Sequence, residues 1–241
     1  MLVPPPRYGA RPPANFSTFA RSGSLRNFGN PRTLGAIIPY TISYMNEKYF
    51  EKPEVQTGLA RPEDIDTILK LQQENLAENV GEQEKNQQGF VSVSTTKEQL
   101  EDIAQNEGIT VAKVNEKVIG YLMPMTVEHA GGIPLLEPFI EKFKSLKIDS
   151  IPLTNLRHCV LGQVCIAKEH RGTGVLEKLY NDLKTRLAEE YDIGISEIGT
   201  NNPRSLHAHL DKIGLKIAEQ YSADGRDWYI VYLDFRDSKK P

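Results

Sequence analysis

Residues 159–166 read CVLGQVCI; four residues later Arg171-Gly172-Thr173-Gly174 leads into an amphipathic stretch that begins at Val175. A mostly apolar run of this length is a buried central strand. After the glycines, Leu176, Leu179, Leu183 and Leu187 recur at helical spacing, so the unit is strand, glycine turn, helix. No other feature limits the fold as much. A helix that starts from such a turn presents free backbone N–H groups to an anion, and its dipole adds about 0.3–1 kcal/mol of attraction. Spacing excludes two phosphate loops. The string G-x-x-x-x-G-K-(S/T) occurs nowhere, and Glu177 stands where a G-x-G-x-x-G fingerprint needs its third glycine.

The elements around this unit alternate between sheet and helix. Leu59-Ala60-Arg61 predicts a short strand, and Pro62 opens a helix with Ile65, Ile68, Leu69, Leu76 and Val80 as its apolar stripe. The polar residues 81–89 predict a loop or helix end. Thr95 and Thr96 cap a second helix that contains Leu100 and Ile103 and stops at Gly108. Residues 109–114 and 118–123 predict a hairpin turning at Asn115-Glu116. Residues 127–157 interrupt the rhythm with glycines, prolines and one amphipathic segment around Leu135, Leu136, Phe139, Ile140 and Phe143, an inserted helix between the third and fourth strands. After the helix of residues 175–190 come a fifth strand at 193–199, a helix at 202–212 and a closing hairpin, 215–221 with 228–235, around Asp224-Gly225. The aromatic group Tyr221, Trp228, Tyr229 and Tyr232 predicts core for that hairpin.

Charge divides the chain. Residues 1–46 hold Arg7, Arg11, Arg21, Arg26 and Arg32 with no lysine or acid, so the remaining 24 basic residues face all 32 acids. We read residues 1–55 as a Pro/Arg-rich arm, 56–236 as the folded domain and 237–241 as a tail. The prolines of the arm interrupt the amphipathic helix that a mitochondrial transit peptide needs, so the expected location is cytoplasmic, with the mitochondrial matrix as the alternative if residues 1–46 are a leader. A net charge of −3 gives no global attraction to nucleic acid or acidic membranes, and no apolar run reaches the roughly 18 residues of a spanning helix. Cys159 and Cys165 form neither a disulfide framework nor a zinc pattern, and no metal is expected.

The glycine turn, its strand and the order of elements over residues 56–236 resemble the GNAT superfamily of N-acetyltransferases. That family's signature, (Q/R)-x-x-G-x-(G/A), is matched here by Arg171, Gly172, Thr173, Gly174 and Val175, with Leu176 where glycine or alanine is usual. A second match lies downstream: Asn202 opens a helix of the family's N-x-x-(S/A)-x-x-x-Y type, His209 falls at the tyrosine, and Gly214-Leu215 closes it, with one residue more than usual between His209 and Gly214. The resemblance implies a GNAT fold of the α/β (α+β) class: a central mixed, mostly antiparallel sheet of six to seven strands flanked by about four helices. It also implies acetyl-CoA as acyl donor. Backbone amides of 171–176 would hold its pyrophosphate, Asn202 would contact it, and Val164, Cys165 and Ile166 would line its pantetheine arm.

The implied activity is transfer of an acetyl group to a primary amine of a small or amino acid-like molecule in a ternary complex. A non-catalytic coenzyme A-binding domain and transfer of a longer acyl group are the alternatives. A homodimer is compatible with the resemblance. A protonated amine, with pKa about 10.4 for a lysine-like group, needs a base. The family often carries a glutamate on the fourth strand, but here Gln163 stands near that place and cannot accept a proton. Glu128, His129, His158 and Glu197 are the candidates; Glu128 and His129 are preferred because they begin the excursion expected to border the acceptor. His209 is the candidate that protonates the leaving thiolate.

Overall fold

The computed structural model describes residues 54–236. The expected leader, up to residue 53, and the 237–241 tail lie outside the described residues. Seven strands form one sheet: β1 Gln56–Leu59, β2 Thr110–Val114, β3 Lys117–Met125, β6 His158–Ile166, β7 Ile193–Gly199, β8 Lys216–Ala223 and β9 Arg226–Asp234. Their order is β1-β2-β3-β6-β7-β9-β8, and β6 with β7 is the parallel pair; the other neighbours are antiparallel. The mixed, mostly antiparallel sheet is therefore as expected.

One face of the sheet packs against α1 (Ile65–Asn75), α3 (Lys97–Asn106) and the insert, with Ile68, Leu100, Tyr121, Phe139, Ile195 and Ile230 in its core. The other face receives α6 (Val175–Leu187) through Leu179, Leu183, Leu161, Val231 and Phe235. The hairpin turn at Asn115 and Glu116 has both residues left-handed (φ 50° and 62°), the geometry that matches strand twist. Cys159 and Cys165 are buried free thiols, each pushed up to about 12 by that burial, and so are inert core residues.

Five features differ from expectation. The first strand lies earlier, at Gln56–Leu59. A 3-10 turn, Pro62–Asp64, precedes the helix, held by the Arg61 N–H donating to Asp64 (2.8 Å) and by a buried Lys113–Asp64 ion pair (2.8 Å). The polar residues expected as a loop or helix end form a helix of their own, α2, Glu82–Gln88: Glu82 and Glu84 sit at its positive end, and Gly89 ends it with φ +74°. The insert holds two short helices, α4 (Val127–Gly131) and α5 (Glu137–Lys142), and a small hairpin of β4 (Lys147–Ile148) with β5 (Ile151–Pro152). The last helix begins as α7, Pro203–His207, and widens into a π-helical turn, Ala208–Ile213, so the extra residue before Gly214 is absorbed as a helical bulge. No helix among the described residues is long and apolar enough to cross a membrane.

Candidate functional site

The sheet parts at its parallel seam. β6 and β7 pair only at His158, Cys159 and Val160, opposite Ile193, Gly194 and Ile195, and from Leu161 onward the β6 edge has no rung to β7. On its other side β6 carries a bulge: Met123 faces Gln163, Pro124 faces Leu161, and Gly162 is the extra residue. Pro124 has no N–H to give to the ladder, which is why the irregularity falls there. A Cβ on Gly162 would lie 2.4 Å from Met125 Cε, a tip that can swing aside, and 3.0 Å from the Met123 carbonyl, which cannot, so the close backbone favours glycine here.

At one end of the cleft lies the glycine turn. Gly172 and Gly174 are both left-handed (φ +72° and +87°) and a Cβ on either would meet nothing within 4 Å, so backbone conformation, not space, requires glycine. Alternating backbone geometry of this kind turns successive N–H groups inward. The first N–H groups of α6, starting at Val175, have no partner within the helix. Arg171 is held beside them: Nε donates to the Ile166 carbonyl (3.0 Å), Nη2 to Asn75 Oδ1, and Nη1 is buried with no partner. An orphaned buried guanidinium N–H beside open amides fits an anionic ligand. Leu176 is half-buried, packs on the α6 face of the core and lines the same cavity as Arg171 and Gly172. Thr173 spends its hydroxyl on the His170 carbonyl (2.7 Å).

Two cavities meet in the cleft. One runs past Val164, Cys165, Ile166 and Arg171; the other past Gln163, Met125, Phe139, Glu197 and Trp228. Phe90, Val91, Val164, Ser205 and His209 line both. Their shared wall includes a strap between α2 and α3. Val91 N–H donates to the Asn75 carbonyl (2.9 Å), and Asn202 Nδ2 to the Phe90 carbonyl (3.2 Å) while its Oδ1 caps α7 at the Ser205 N–H (3.2 Å). Gln163 fastens the strap to β6. Its Nε2 donates to the Val93 carbonyl (2.7 Å), and its Oε1 accepts from Tyr121 and from Gln72 Nε2 (3.1 Å).

His209 is 8% exposed. Its Nδ1–H donates to the Ser205 carbonyl (2.7 Å), an acceptor only, so Nε2 carries the lone pair of a neutral ring. Burial keeps its pKa below the ordinary value, and Tyr180 packs edge-on at 5.7 Å. Glu197 lies on β7 past the last rung, facing the insert. Burial among apolar groups pushes its carboxyl up to about 7, against the opposing hydrogen bond from Tyr221. Tyr221, expected as hairpin core, packs against the core and also holds Glu197.

The preferred base candidates are elsewhere. Glu128 is exposed on α4 and lines neither cavity. His129 pairs with Glu107 and with Asp102 (2.8 Å), which hold its pKa above the ordinary value; it ties α4 to the end of α3 and lines neither cavity. His158 Nδ1 donates to the Leu156 carbonyl (2.8 Å) at the closed end of the seam. The sequence placed Glu197 behind Glu128 and His129, because its partner Tyr221 lies 24 residues away on another strand; the signal available was the one acid of a mostly apolar strand.

Comparison with known proteins bears on this geometry. A family model described as the Acetyltransferase (GNAT) family matches residues 76–215, more than half of the chain. Among solved structures, Streptococcus mutans smu.2055 is similar at TM-score 0.50 and 14% identity, over 75% of this chain and 99% of that one. Ard1 from Thermoplasma volcanium is similar at TM-score 0.50 and 14% identity, over 75% and 97%. No curated protein sequence matches.

Proposed function

Because this chain belongs to the GNAT acetyltransferase family, we propose that it moves the acetyl group of acetyl-CoA to a primary amine by direct attack, with Glu197 as general base. The observation that carries this reading is the opened seam between β6 and β7, with an amide-lined glycine turn at one end and a desolvated carboxylate at the other. The main-chain amides of 171–176 with Arg171 Nη1 would hold the pyrophosphate. The unpaired edge of β6 at Val164, Cys165 and Ile166 would take the pantetheine amides. Asn202, already committed to α7 and the strap, would act by shaping the wall rather than by a free side chain.

The chemistry follows from the protonation states. An acceptor ammonium gives one proton to ionised Glu197, and the freed nitrogen lone pair attacks the thioester carbonyl. The C–N bond forms, the C–S bond breaks with its electron pair on sulfur, and a backbone N–H of β6 near the bulge at Gly162 would donate to the developing oxyanion. The second proton leaves the nitrogen for His209 Nε2, which hands it to the thiolate; the products are the amide and coenzyme A, with the first proton returned from Glu197 to solvent. His209 starts neutral, so it serves as acid only after it has served as base.

Titration with acetyl-CoA by calorimetry tests the donor half, and thiol release in the presence of amines tests the transfer. Absence of binding at about 1 mM acetyl-CoA, the top of the ordinary KM range, would refute the reading. Binding without any amine-dependent thiol release would leave a coenzyme A-binding domain instead.

A further inference from the structure

Resting on the assignment of Glu197 as base, we propose that the acceptor is a primary monoamine on an apolar body, aromatic or branched, with no carboxylate beside the amine. It enters between the insert and the turn of the β8–β9 hairpin. The inner cavity is walled by Met125, Leu136, Phe139, Ile198 and Trp228; Glu197 is the one carboxylate among its lining residues, and no lysine or arginine lines it. A separate cavity opens from the protein surface beside Leu135, Pro138, Tyr221, Ala223 and Arg226, and it shares Glu197 and Trp228 with the inner one. The two cavities thus adjoin at Glu197 and Trp228, and the outer one lies on the side of the insert, away from the glycine turn; entry by this side is part of the proposal. Leu135 at its mouth is 37% exposed, one of four large apolar side chains exposed among the described residues.

Charge then selects the acceptor. Glu197 is the one acid inside, and the polar side chains that share the lining, such as Gln163, Ser196 and Asn202, are uncharged, so the inner cavity offers a carboxylate to one ammonium group and to no second. An α-amino acid would bring its own carboxylate to within about 4 Å of Glu197 with no cation inside to receive it, a repulsion that at least tenfold discrimination understates. Arg226 and Asp224, two residues apart on the hairpin turn, both line the outer cavity, and neither lines the inner one. A polyamine's second ammonium group would find no carboxylate inside the inner cavity; the next acid is Asp224 at the mouth, where Arg226 also lies. An apolar body gains roughly fourfold in binding for each methylene buried there.

The test uses the full chain with saturating acetyl-CoA and reads thiol release with 2-phenylethylamine, hexylamine, phenylalanine, spermidine and a peptide with a free N-terminal alanine. We expect kcat/KM for 2-phenylethylamine to exceed that for phenylalanine and spermidine at least tenfold. Leu135→Lys, at the mouth, should raise the KM for 2-phenylethylamine several-fold and leave acetyl-CoA affinity unchanged. Equal or better use of phenylalanine, spermidine or the peptide overturns the inference, as does no release with any of the five. Glu197→Gln separates this from the underlying reading. If turnover of the preferred acceptor, whichever it is, falls while acetyl-CoA still binds, Glu197 remains the base and only the acceptor class fails.

Discussion

Glu197→Gln should make this protein more stable and nearly inactive, and the gain in stability should depend on pH. Burial raises the carboxyl from an ordinary 4.5 to about 7, so the folded state holds the proton more tightly than the unfolded chain does. Between those values the native state binds more protons, and stability must fall as pH rises. The loss is small below pH 4.5 and complete above 7. The two values give a cost of about 3 kcal/mol at pH 8 and about 1 kcal/mol at pH 5, from linkage at 1.36 kcal/mol per pH unit. Glutamine keeps an oxygen for the Tyr221 hydroxyl and carries no charge, so it removes this dependence. Urea unfolding of both proteins at pH 5 and pH 8 should show the variant's advantage growing by roughly 2 kcal/mol, or about 4–8 °C in Tm for a domain of this size. The same ionisation should govern rate: wild-type kcat/KM should rise with pH and level off above about 7, and the variant should lose that limb. A stability difference that does not change between pH 5 and pH 8 would refute the argument, because it would mean Glu197 is already hydrated in the folded state.

Three further outcomes follow from named contacts. Gly174→Ala should cost about 1–2 kcal/mol, because φ is +87° and an L side chain is strained there even in open space; acetyl-CoA affinity, read by calorimetry, should fall with it. Gln163→Leu should lower the urea midpoint by an amount equal to about 2–4 kcal/mol, since it orphans the Val93 carbonyl and the Tyr121 hydroxyl inside the core. His209→Phe should reduce kcat about 100-fold with acetyl-CoA affinity kept, as loss of a proton carrier would, and stopped-flow thiol release would show it.

Parts of the site set by local geometry were legible in the sequence. Gly172 and Gly174 announce a left-handed turn wherever they sit, Asn202 caps the helix that follows it, and the surplus residue before Gly214 signalled an irregular helix. Parts that depend on which strands meet were not. Glu197 gains its chemistry from Tyr221 on β8 and from apolar residues of the insert, contacts that no spacing encodes. Glu128 and His129 stand beside the insert in sequence, yet α4 turns His129 toward Asp102 and Glu107. The helix Glu82–Gln88 has no apolar stripe to betray it; it packs beside α7, and Glu84 pairs with Lys168 (2.8 Å).

The seam between β6 and β7 also has a mechanical meaning. Four strands stand on one side of it and three on the other, and only three residue pairs bridge them along the sheet. The sheet is thus two leaves on a short hinge, and the proposed donor site lies in the gutter of the binding. A donor that lies along the bare edge of β6 supplies backbone partners where the protein itself has none. Amide protons on both leaves should then exchange more slowly together, as if the substrate were a temporary eighth strand.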